Sequence, residues 1–135
     1  MICTFIDSAV LIVAARAEDP ISEMAMQILE DPSREFASSI FLKLEVLPKA
    51  IYNQRIAEVR FYEEYFNSVL HWATNLDEII HNAYHIEASQ SGLGAMDALH
   101  IAAVSVGAVE FITAEKAKSS IPRTNSIRII SISPN

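Results

Sequence analysis

The stretch Gly92-Leu93-Gly94-Ala95-Met96-Asp97-Ala98-Leu99-His100-Ile101-Ala102-Ala103-Val104, continuing into Phe111-Ile112-Thr113-Ala114-Glu115, decides how this chain folds. From Ala95 to Val106 every residue is apolar or small, apart from Asp97, His100 and Ser105. Such a run predicts a helix with little solvent-facing character, opened by a flexible Gly-x-Gly. Asp97 shares a face with His100, Ile101 and Val104, so its carboxylate is expected to point inward. An inward carboxylate is costly unless its charge is offset. The helix N-terminus supplies only about 0.3–1 kcal/mol of that offset. A second partner is required, and the other acids of the chain suggest a metal ion.

Working outward, 135 residues with 51% hydrophobic content and 3 glycines predict one compact domain over 1–135, helix-rich and not disordered. A net charge of −7 argues against a broad basic surface for gripping phosphates. Any nucleic acid would be engaged locally, or through another chain. The lone Cys3 cannot form an internal disulfide and reads as a small core residue of a reducing compartment. The leading apolar run carries no basic segment and is interrupted by Asp7, and no run reaches the roughly 18 apolar residues of a membrane span. A cytoplasmic protein without membrane association is expected.

Ile2–Ile6 reads as a buried strand ending at Asp7-Ser8, with Ser8 capping a helix from Ala9 to Ala17. Asp19-Pro20 opens a second helix with Ile21, Met24, Ala25, Ile28 and Leu29 as its apolar stripe, and Phe36-Ala37 forms a brief second strand. Ser38 or Ser39 caps the next helix, whose core residues are Phe41, Leu42, Leu44, Leu47 and Ile51, with a kink expected near Pro48. Arg55 to Leu70 is helical, His71–Leu76 is a strand and turn, and Asp77–Ser91 is a helix. After the Asp97 helix come strands at Glu110–Thr113 and Ile127–Ile132. Alternation of this kind predicts an α/β fold: a mainly parallel sheet of about five strands with helices on both faces. Sites in such folds gather beyond the carboxyl ends of the strands. Asp7 and Glu115 follow strands, while Glu45 and Asp97 lie near helix starts, so four acids are expected at that rim.

Together, Phe5-Ile6-Asp7-Ser8-Ala9-Val10-Leu11-Ile12, Ser38-Ser39-Ile40-Phe41-Leu42-Lys43-Leu44-Glu45, Met96-Asp97-Ala98-Leu99-His100-Ile101-Ala102-Ala103 and Phe111-Ile112-Thr113-Ala114-Glu115 resemble the PIN-domain family of metal-dependent nucleases. Within it they resemble the small VapC-like toxins of toxin–antitoxin pairs. Each piece alone is weakly specific, and the ordered set spans nearly the whole chain. The resemblance implies that Asp7, Glu45 and Asp97 are three core acids, that Glu115 stands at a fourth usually occupied by Asp, and that Ser8 matches a small hydroxylated position. Ala9 departs from the family, which often carries Ser or Asn there. The resemblance further implies a Mg²⁺- or Mn²⁺-dependent endoribonuclease with an RNA substrate, a cognate antitoxin and a homodimeric state. His100 and Thr113 are expected to support the four acids.

Oxygen ligands without Cys or clustered His select Mg²⁺ or Mn²⁺ over zinc. Clustered carboxylates repel unless a divalent cation compensates them. Taken singly, each residue has a plainer role: Asp7 as a helix cap, Glu45 as a solvated acid, Asp97 as a helix-start residue, Glu115 beside Lys116 and Lys118 as a surface charge. The aromatics between Arg55 and Trp72 suit core or a partner-docking surface. Two other readings compete with the nuclease: a PIN scaffold retained for assembly without catalysis, and a receiver-like phosphoacceptor domain. The latter wants adjacent acids after the first strand and a lysine after the last, and neither is present.

Overall fold

The computed structural model describes residues 1–18, 20–104, 108, 110–114 and 128–133. In chain order the elements are β1 (Ile2–Ile6), α1 (Ser8–Arg16), α2 (Ser22–Leu29), β2 (Arg34–Ser39), α3 (Ile40–Tyr52), α4 (Ile56–Ser68), β3 (His71–Ala73), α5 (Leu76–Asn82), a π-helical segment (Ala83–Ala88), α6 (Ala95–Val104), β4 (Glu110–Thr113) and β5 (Arg128–Ser131). The strands form a parallel sheet in the order β3-β2-β1-β4-β5. Receiver domains belong to the doubly wound class ordered 2-1-3-4-5. The observed order removes that reading.

Right-handed crossovers dictate the layers. The connections from β1 through β2 to β3 step in one direction, placing α1 to α4 on one face. The connection from β3 to β4 steps back past β1, placing α5, the π-helical segment and α6 on the other. Alternation along the strands fits this division. Phe36 of β2 meets Tyr65 of α4 at 5.7 Å, whereas Phe5 of β1 stacks on Phe111 of β4 at 5.7 Å and lies 6.4 Å from His100 of α6. Phe5, Ile6, Leu11, Leu42, Ile101, Phe111 and Ile112 are completely buried. α6 is as enclosed as its composition predicts, with Ala98 and every residue from His100 to Val104 buried. Among the described residues no helix is long and apolar enough to cross a membrane.

Several local expectations change. Asp7, not Ser8, caps α1, because its Oδ1 accepts the Val10 N–H at 3.0 Å. β2 extends back beyond Phe36 to Arg34; the charged start is tolerated because Arg34 pairs with Asp31 at 2.7 Å and with Glu110 at 3.1 Å. Ser39 holds the cap position of α3 without a capping side-chain bond. Met24, Leu44 and Ile51 are exposed: the buried stripe of α3 runs through Leu42, Val46 and Ala50, with Leu44 about 160° round the helix from Leu42 and Val46 and Ile51 about 100° from Ala50. α3 continues through Pro48, and the helix after β3 loosens into π geometry at Ala83. Tyr62, Tyr65 and Phe66 are buried core residues, whereas Phe61 is half-buried and Ile56, Leu70 and Trp72 of the same segment are exposed. Asp19, Glu115 and Ile127 lie outside the described residues.

Phe111→Ala should cost about 3–5 kcal/mol in urea denaturation, the usual cost of truncating a buried aromatic. Leu44→Ala, at a position 63% exposed, should change stability by no more than about 0.5 kcal/mol. Similar losses for the two variants would contradict the facing of α3 described above.

Candidate functional site

β1 and β4 are neighbours in the sheet, although the chain leaves β1 in the opposite direction. This is the point where an open α/β sheet leaves a crevice at its carboxyl edge. The Asp7 N–H still donates to the Ile112 carbonyl at 3.0 Å, so β1 remains paired with β4 as α1 begins. The Asp7 backbone is extended, which aims its side chain back over the first turn of α1. Oδ1 takes the Val10 N–H at 3.0 Å, and Oδ2 accepts the Thr113 hydroxyl from the end of β4. A 4% exposed carboxylate is thereby fixed between a helix N-terminus and a neighbouring strand. Thr113, expected near the acids, bonds directly to one of them.

The other two described acids come from helices. Glu45 lies in the second turn of α3, on the side next to buried Leu42 and Val46, and its side chain remains 30% exposed. His100 Nε2 is 3.3 Å from Glu45 Oε1. A carboxylate only accepts, so Nε2 carries the hydrogen of this bond. His100 is 2% exposed, and its Nδ1 has no partner among the described residues. The hydrogen bond from His100 holds Glu45 below the usual carboxylate range; desolvation opposes this and the Ser8 hydroxyl assists it.

Asp97, in the first turn of α6, behaves in the opposite way. Burial pushes its carboxyl up, the charge of Glu45 pushes it further, and His100 only partly opposes them. Glu45 and Asp97 are therefore close enough to repel, with the better hydrogen-bonded acid carrying its charge more easily. Ser8 adjoins Asp7 in sequence and bonds Glu45 in space, so it joins the strand-end acid to the helix acids. The structure thus gathers Ser8, Glu45, Asp97 and His100 in one cluster and Asp7 with Thr113 beside it.

Among the described residues, no three His, Cys, Asp or Glu groups sit tightly enough to form a ready metal cage. The donor chemistry nevertheless fits a hard divalent cation. Apart from His100 it is carboxylate and hydroxyl oxygen, and among the described residues His100 only partly offsets the charge of half-buried Asp97.

Sequence reasoning missed the residues beyond Glu45. A cavity of about 110 Å³ is lined by Ile12, Arg16, Glu45, Lys49, Arg55 and Glu58, among others. Its signal was present as four-residue spacing: Ser8, Ile12 and Arg16 on α1, and Glu45, Lys49 and Asn53 on α3.

No family model matches the sequence, and no curated protein matches it significantly. The fold does have relatives among solved structures. The chain is similar to one in the crystal structure of VapBC2 from Rickettsia felis bound to a DNA fragment from their promoter. The TM-score is 0.72 at 10% identity, covering 96% of this chain and 98% of that one. The fold is PIN-like. In this fold Asp7 follows β1 as the cap of α1, Glu45 lies on α3 and Asp97 on α6.

Because burial and Glu45 raise the folded-state pKa of Asp97, its ionised form costs stability above the unfolded carboxylate value of about 3.9. Asp97→Asn should therefore melt higher than the unsubstituted protein at neutral pH in the presence of EDTA. The difference should shrink as pH falls through the raised folded value and disappear below about pH 4. Thermal melts at both pH extremes check this, and a lower melting temperature for Asp97→Asn at neutral pH would contradict it.

Proposed function

We propose that this protein is a Mg²⁺- or Mn²⁺-dependent endoribonuclease, the toxin of a toxin–antitoxin pair. The observation that carries the reading is the under-compensated Asp97, set against Glu45 at the carboxyl edge of a PIN-like sheet. Asp7, Glu45 and Asp97 would hold the metal, with Glu115 as a fourth acid in the segment outside the described residues. A bound Mg²⁺ or Mn²⁺ supplies a water of lowered pKa and positive charge for the phosphodiester.

The chain's own contribution is placement. The Val10 N–H and the Thr113 hydroxyl lock the rotamer of Asp7. His100 and Ser8 orient Glu45 and favour its charged form. Asp97 projects from the rigid start of a buried helix. No side-chain nucleophile is needed, which suits a site offering carboxylates and one enclosed histidine.

VapBC2 is a complex seen on its promoter DNA. By analogy, we assign this chain a cognate antitoxin and membership of a promoter-binding complex. A net charge of −7 makes this chain a poor carrier of the DNA contact, which then falls to the partner. Homodimerisation and a cytoplasmic location belong to the same proposal.

A non-catalytic PIN scaffold is the second reading, favoured by the lack of a ready three-group metal cage among the described residues. Single-turnover cleavage of an unstructured RNA across a Mg²⁺ and Mn²⁺ titration separates the two. Asp7→Asn and Asp97→Asn should each lower the rate by at least about 100-fold, with Glu45→Gln close behind, and Glu115→Gln should keep measurable activity at high Mn²⁺. Cleavage that survives all four substitutions, or that ignores EDTA, would overturn the proposal.

A further inference from the structure

We infer that the cavity beside Glu45 is a phosphate-binding subsite that takes a backbone phosphate of the RNA strand next to the one being cut. The inference rests on the nuclease reading and adds a location to it. Three of the ten basic residues of a strongly acidic chain, Arg16, Lys49 and Arg55, line this one cavity. At about 110 Å³ it is several times the roughly 10–15 Å³ that a single water needs.

The cations are held in place rather than scattered. Glu58, 7% exposed in the first turn of α4, takes Arg16 Nε at 3.0 Å and Arg55 Nη1 at 3.1 Å. The buried Tyr62 hydroxyl donates to the same carboxylate at 3.0 Å. Each guanidinium has five N–H donors, and Glu58 occupies one of each in these contacts. Arg16 and Arg55 remain about half exposed, at 44% and 50%. The backbone beneath Arg55 is also fixed: Gln54 takes a left-handed φ of 55°, and the Arg55 N–H closes on the Ala50 carbonyl at 3.0 Å. Lys49 stands one helical turn beyond Glu45 on α3, and Arg16 two turns beyond Ser8 on α1. Those two rows lead from the acids to the cations, about 6 Å along α3 from Glu45 to Lys49 and about 12 Å along α1 from Ser8 to Arg16 at 1.5 Å per residue.

The two ends have complementary tasks. Acids at the rim suit a metal and the reacting phosphate, whereas guanidinium donors suit a phosphate that is only bound. Continuity of the cavity with Glu45 favours an RNA strand over an acidic protein segment as its occupant. The charge of Glu58 does not cancel the site. The lining carries Arg16, Lys49 and Arg55 against Glu45 and Glu58, and so remains net positive on a chain of net charge −7.

The test is fluorescence anisotropy of a short unstructured RNA in EDTA across a salt titration, using the full chain. Arg55→Gln and Lys49→Gln should each weaken binding about five- to tenfold at low salt. Each should also lower the slope of log affinity against log salt by about 0.7, the share of one single-strand phosphate. Lys49 makes no ion pair with Glu58, so its variant does not disturb that buried carboxylate. Arg60→Gln removes the same charge from a different part of α4 and should leave the slope unchanged. Equal slopes for Lys49→Gln, Arg55→Gln and Arg60→Gln would overturn the subsite, as would RNA binding by the unsubstituted protein without salt dependence. Loss of affinity for the partner protein with RNA binding unaltered would overturn it too. Cleavage is scored separately: a protein that binds RNA through these residues but cuts nothing keeps the subsite and loses the nuclease, and one that cuts with unaltered slopes does the reverse.

Discussion

The bond between the Thr113 hydroxyl and the Asp7 carboxylate closes the seam between β1 and β4, and the site depends on that seam. Parallel pairing brings Ile112 opposite Ile6, so the next residue on each strand reaches the rim together. Asp7 then ends one strand, caps the following helix and faces Thr113 of the neighbouring strand. An aspartate suits all three demands because its short side chain reaches its own helix start and still presents a second oxygen sideways. The plainer reading of Asp7 as a cap and the sharper one as a metal ligand are therefore compatible. Capping is what fixes the oxygen positions, and fixed oxygens lower the entropy cost of coordination.

Much of this was legible in the sequence because the strongest signals were periodic. The β-branched and aromatic run of Ile2–Ile6, the nearly uniform apolar helix around Asp97 and the short strand Phe111–Thr113 each occupy the expected place. The errors cluster where a local rule met a tertiary one. Leu44 and Ile51 look like core by composition, but the burial stripe of α3 is set by packing mainly against α4, with α1, α6 and β2, and passes through Leu42, Val46 and Ala50. Arg34 and Glu35 look like loop, yet pairing with Ile2 and Cys3 extends the strand over them. Of the aromatics read as core or docking face, Tyr65 packs on Phe36 of the sheet and Phe66 is buried beside it, whereas Phe61 and Trp72 stay partly exposed.

The basic cavity was overlooked for a different reason. Its cations come from the end of α1, the last turn of α3 and the start of α4, and Arg16 is more than thirty residues from the other two in sequence. Overall charge pointed away from any phosphate site. A net charge averages over the surface, whereas binding responds to the local field. Once α1 and α3 lie side by side, their four-residue rows turn a scattered set of charges into a graded one, acidic at the rim and basic one to two turns down.

Both ends of the same sheet carry a buried or half-buried carboxylate, and the contrast between them bears on function. At the amino end, Glu110 opens β4 and is 3% exposed. Its Oε1 takes the Thr4 hydroxyl at 2.8 Å and Arg34 Nε at 3.1 Å, so a neighbouring strand on one side and an arginine two strands away satisfy it. That is how a chain treats an acid it uses for structure: the charge is matched by a cation and a hydroxyl supplied by the fold. At the carboxyl end, no arginine or lysine among the described residues acts on the charge of Asp97; it meets desolvation and a second acid, relieved by His100. A fold able to neutralise Glu110 so fully has the means to do the same for Asp97. Among the described residues Asp97 is thus the less well matched acid of the pair, and under the proposed function that deficit is what a divalent cation would relieve.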